Sequence, residues 1–93
     1  MNIKEDWIIE YLTKKATFKF VDMLDEDFVN GFIEQFNVQY EGMIIGASKC
    51  KELSKLLSSM YKTGLLKRFP HGVRKGLLQD GRFPKWVYSY QLP

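Results

Sequence analysis

The feature that most narrows the fold of this 93-residue chain is a change of hydrophobic period at Gly64. Before it, Cys50, Leu53, Leu56, Leu57 and Met60 recur at the spacing that lines one side of an α-helix. After it, Leu65-Leu66-Lys67-Arg68-Phe69 has the character of a strand. A glycine at this junction supplies the left-handed residue that commonly ends a helix. The pattern predicts a helix from Lys49 to about Thr63, with Ser48 as its N-cap. At 100° per residue, Lys51, Lys55, Ser58 and Lys62 fall within about 60° of one another, opposite the leucines. The one acid of this helix, Glu52, lies off that stripe. Cys50, at the edge of the apolar side, reads as a small buried hydrophobe.

The remaining elements follow from similar signals. Asn2 with Glu5 three residues later resembles a capping box, and Trp7, Ile8, Tyr11 and Leu12 follow at helical spacing. A first helix is predicted from about Ile3 to Lys15. Thr17-Phe18-Lys19-Phe20-Val21 alternates, so Ala16 to Met23 reads as a short strand. Asp25-Glu26-Asp27 favours a helix N-terminus, and Phe28, Val29, Phe32, Ile33 and Phe36 form one stripe. A second helix is predicted from about Glu26 to Asn37, despite Gly31 inside it. Val38 to Ala47 reads as a connection that packs some side chains inward. Pro70-His71-Gly72, Arg74-Lys75-Gly76 and Asp80-Gly81-Arg82 read as turns. The last strand runs from Lys85 to Leu92, with Trp86, Tyr88, Tyr90 and Leu92 on one face, expected to pack inward. Pro84 is tolerated just before it. Together the two late strands make a hairpin with a long basic loop.

Charge is divided along the chain. Up to Gly46, four lysines face nine acids, a net −5; after it, ten lysines and arginines face two acids, a net +8. The two halves return the overall +3. All three arginines stand in the basic half, where a planar fork suits phosphate. A polyanion-binding half is the expectation. Solvation of helix and hairpin surfaces is the plainer explanation of the same residues.

Other classes are set aside by composition. With 45% apolar and 27% charged residues, the chain matches a globular domain, and its length suits one domain over residues 1–93. No apolar run approaches the ~18 residues of a membrane span. The N-terminus lacks the features of a signal peptide, so a cytoplasmic location is expected. One cysteine excludes an internal disulfide, and one histidine leaves neither a His cluster nor a ready Ser–His pair. No catalysis, no metal and no cofactor are expected.

The order helix, strand, helix, helix, strand, loop, strand resembles the winged helix-turn-helix superfamily over nearly the whole length. The strongest local match is Leu53-x-x-Leu56-Leu57-x-x-Met60-Tyr61-Lys62-x-Gly64-Leu65-Leu66-Lys67-Arg68. Phe83-Pro84-Lys85-Trp86-Val87-Tyr88 is similar to the return strand of a wing, and Gly46 through Tyr90 looks like small winged-helix proteins of phages and prophages. The departure is Asn37 to Ala47, long for the turn between the second and third helices. The resemblance implies an α+β fold of three helices with a small antiparallel sheet.

It also implies double-stranded DNA as partner and a role in transcription regulation, in a bacterial or phage-infected cell. The third helix would enter the major groove. Lys49, Lys51, Ser54, Lys55, Ser58 and Lys62 are its candidate DNA contacts, and Arg68, Arg74, Lys75, Arg82 and Lys85 those of the hairpin and wing. Lys67 and Arg68 are neighbours on a strand, so at most one of them faces DNA there. Many helix-turn-helix proteins form a homodimer to read two half-sites, and the sequence leaves open whether this chain does. The competing expectation is a phage-type interaction module that binds a host protein through the acidic N-terminal half. An aromatic platform for single strands at Trp86, Tyr88 and Tyr90 is a weaker alternative to core packing.

Overall fold

The computed structural model describes residues 2–15, 19–42, 49–72 and 86–93. They form three helices, α1 (Ile3–Lys14), α2 (Glu26–Phe36) and α3 (Lys51–Lys62), and an antiparallel pair of strands, β1 (Lys67–Gly72) and β2 (Trp86–Gln91). This is an α+β arrangement. Among the described residues, no helix is long and apolar enough to cross a membrane.

Each helix start is explained by its residues. The Asn2 side-chain oxygen accepts from the backbone N–H groups of Lys4 and Glu5, at 3.0 and 3.2 Å. Asp25 caps α2 by accepting from the Phe28 N–H, and Glu26 and Asp27 fill the first turn, so the acidic triplet caps a helix as expected. The third helix departs from expectation. Its N-cap is Cys50, with no side-chain cap bond, and it begins at Lys51 rather than Lys49. The reason is visible one residue earlier. The Lys49 carbonyl accepts from the Glu41 N–H at 2.8 Å and so is committed to the connection. Ser48 lies outside the described residues.

At its other end α3 closes as a Schellman motif. Leu65 N–H donates to the Met60 carbonyl and Gly64 N–H to that of Tyr61. Gly64 has φ +85°, in the left-handed region, with open space where a Cβ would stand. Gly64→Ala should therefore lower stability by about 1 kcal/mol through backbone strain alone, read as a reduced Tm.

The three helices bury one shared core. Ile8 and Leu12 come from α1, Phe28, Val29, Phe32 and Ile33 from α2, Leu53, Leu57 and Met60 from α3, and Cys50 from the N-cap of α3. Trp7 lies against it, with its ring 5.9 Å from Phe28 and 5.7 Å from Phe32. Gly31 faces this indole, and a Cβ there would meet Trp7 at 3.4 Å, ordinary contact. Because glycine is a poor helix former, Gly31→Ala should stabilise the fold by roughly 0.5–1 kcal/mol in a denaturant melt.

The sheet is shorter at one edge and longer at another than the pattern predicts. Within the described part of Ala16 to Met23, Val21 forms a single β-bridge to Tyr90 in place of a strand. Residues 16–18 lie outside the described residues. In contrast, β1 continues through Pro70, His71 and Gly72, which are strand and not turn. Hydrogen-bond parity explains why Pro70 fits. Tyr90 exchanges both backbone bonds with Val21, at 2.9 and 2.8 Å, so its polar groups point away from β1. The Arg68–Tyr90 pair is then non-hydrogen-bonded, and so is Pro70–Tyr88 two residues along. The missing proline N–H costs the β1–β2 ladder nothing, because a donor at that position would point away from β2.

Candidate nucleic-acid interface

The burial of α3 divides it along its length. Leu53, Leu57 and Met60 are buried, whereas Lys51, Lys55, Ser59 and Lys62 are exposed, and Ser54 and Ser58 are half-buried beside them. Lys49 is half-buried in the turn before the helix. The structure thus brings Lys51, Ser54, Lys55, Ser58 and Lys62 together along one side of a single helix. Lys62 stands eleven positions after Lys51, so the row is about 16 Å long.

The acids near this face are handled in two ways. Glu52 is held by the Lys4 ammonium of α1 at 2.7 Å, which turns its charge to a neighbouring helix. Both side chains are partly exposed, so the pair contributes little stability. Glu41 is the second. Its backbone bond to Lys49 brings it into an open groove of about 1040 Å³ lined by Lys4, Phe36, Tyr40, Lys49, Lys51 and Glu52, among others. The N-terminal end of the lysine row therefore has an acid nearby that the sequence pattern does not reveal, because it arrives from the connection. The other ion pairs among the described residues, Lys14–Glu10 and Lys15–Asp25, lie in the acidic half. Lys51, Lys55 and Lys62 form none with a described carboxylate.

At the C-terminal end of α3 the hairpin adds Arg68. Its guanidinium carbon lies 4.1 Å from the ring centroid of Tyr61 on α3 and 4.1 Å from that of Tyr88 on β2. Two such cation–π contacts fix a side chain that would otherwise sample many rotamers. Lys67 is exposed, on the opposite face of β1. Tyr88 corrects the expectation of an inward aromatic row. It is 42% exposed, while Tyr90 on the same face is 4% exposed. Tyr90 belongs to the core cluster, whereas the Tyr88 ring lies at the surface under the Arg68 guanidinium. Val87 and Ser89 of the other face are buried too, which alternation does not predict.

Arg74, Lys75, Arg82 and Lys85, the expected wing contacts, lie outside the described residues. Cys50 is fully buried in the core, a packing residue as its position on the helix implies. Sequence reasoning missed Tyr61 and Tyr88 as partners of Arg68. The signal available was the spacing of Tyr61 and Arg68 across Gly64. No protein-family model, no curated protein and no solved structure matches the chain.

Proposed function

We propose that this chain is a double-stranded DNA-binding protein of the winged helix-turn-helix type, acting as a small transcriptional regulator in the cytoplasm of a bacterial or phage-infected cell. The observation that carries this reading is the row of exposed lysines and half-buried serines along α3, whose one acid is held by Lys4. The B-DNA major groove is about 12 Å wide and admits a helix. A row of about 16 Å lets Lys51 and Lys62 reach phosphates while Ser54, Lys55 and Ser58 lie between them. Short hydroxyls allow close approach, and lysine bonds both phosphate and guanine edges. The helix has no Arg, Asn or Gln for bidentate base readout, so most affinity comes from the backbone and depends on salt.

The order of elements fits the same reading. A helix feeds through a Schellman motif into β1, and β2 pairs on its other side with Val21 between α1 and α2. Arg74, Lys75, Arg82 and Lys85 then belong to the connection between the strands, where a wing would meet the backbone or the minor groove.

Titration into a fluorescent random-sequence duplex tests the proposal. With four to six phosphate contacts, the slope of log K against log salt is expected near −4 to −5. Absence of binding at low salt would reject it. The competing module reading draws on the exposed acids Asp6, Glu26, Asp27 and Glu34 of α1 and α2. It predicts a protein captured through that half, with function indifferent to Lys51 and Lys55.

A further inference from the structure

We infer that Tyr61, Arg68 and Tyr88 form a preset phosphate clamp, in which the two rings hold the Arg68 guanidinium so that its N–H edge takes one phosphate of a nucleic-acid backbone. This rests on the DNA-binding reading above and adds to it a specific anchor with two positioning residues. The supporting geometry joins three elements. Tyr61 is in the last turn of α3, Arg68 is in β1, and Tyr88 is in β2 diagonal to Arg68 across a non-hydrogen-bonded pair. The guanidinium lies over both rings at 4.1 Å. Rings engage the flat faces of a guanidinium and leave its in-plane donors, the fork that matches a phosphate with two parallel bonds. Among the described residues, Arg68 has no carboxylate within ion-pairing distance. Tyr61 and Tyr88 are themselves 39% and 42% exposed, so the clamp stands at the surface.

Its location gives it a task. Lys62 adjoins Tyr61, so the clamp lies at the end of the lysine row. Lysines are mobile point charges and hold a helix in a groove without fixing its position along the duplex. A rigid bidentate contact at one end fixes that register. Much of the ordering cost of the Arg68 side chain is already met in the free protein, which favours binding.

The alternative is that the stack only fastens the hairpin to α3, and one pair of measurements separates the two. Affinity for a short random-sequence duplex and Tm are measured for wild type, Arg68→Lys, Lys62→Ala, Tyr61→Leu and Tyr61→Phe. Charge is unchanged in Arg68→Lys, so the clamp predicts roughly tenfold weaker binding with the salt slope preserved. Lys62→Ala, by contrast, should make the slope shallower by about 1. Tyr61→Leu should weaken binding severalfold at unchanged slope, and Tyr61→Phe, which keeps the ring, should restore it. If Arg68→Lys and Tyr61→Leu lower Tm but bind like wild type, the clamp is overturned and the DNA-binding reading stands. If the wild type itself fails to bind, that reading falls, and the clamp with it.

Discussion

Replacing Lys51 and Lys55 together by glutamate should lower affinity for duplex DNA roughly a hundredfold near 0.1 M salt. The magnitude follows from counterions. Each phosphate contact contributes about 0.9 to the salt slope, so two lost contacts near 0.1 M cost close to two powers of ten. Like-charge repulsion from the new carboxylates adds to the loss. The slope itself should become shallower by about 2. Both positions are exposed and neither bonds a described carboxylate, so the fold has no stake in them. An unchanged Tm and circular dichroism spectrum would confirm that the loss is one of binding. Retained affinity in the folded variant would show that α3 does not face the duplex.

The largest effect on stability is expected at Phe32. It is fully buried in α2, with its ring 5.7 Å from Trp7 and 5.0 Å from Phe36. Phe32→Ala removes the centre of this cluster and leaves a cavity, at a cost of about 3–5 kcal/mol. A domain of this size has only about 5–15 kcal/mol of total stability. The variant should be marginally folded at room temperature, seen as a large fall in the denaturant midpoint. Phe36→Ala, at a half-buried position of the same cluster, should cost distinctly less. Equal losses at the two positions would contradict the placement of the core.

How much of this was legible follows from which forces act locally. Helix ends and faces are written in nearby residues. Asn2, Asp25 and Gly64 act within a few positions of themselves, and the leucine spacing of α3 fixes its buried side. The lysine row is legible for the same reason, because residues that do not face the core face water. The features that the sequence does not show depend on distant partners. Pro70 reads as a turn until Val21, far off in sequence, takes the Tyr90 backbone bonds and sets the parity of the β1–β2 ladder. Lys49 reads as helical until the Glu41 N–H claims its carbonyl. Tyr88 reads as core because alternation assigns a face and does not show that Arg68 meets this ring at the surface. The Tyr61–Arg68–Tyr88 stack needs three elements to converge, so no single segment announces it.

The lysine face and the proposed arginine clamp would form one surface, reaching from the start of α3 to the base of the hairpin. The most direct test follows backbone amide chemical shifts of isotope-labelled protein during titration with duplex DNA. Shifts are expected to concentrate at Lys51, Ser54, Lys55, Ser58 and Lys62 and around Arg68, with α2 little affected. Shifts centred on the exposed acids of α1 and α2, or none at any duplex concentration, would contradict the DNA-binding reading.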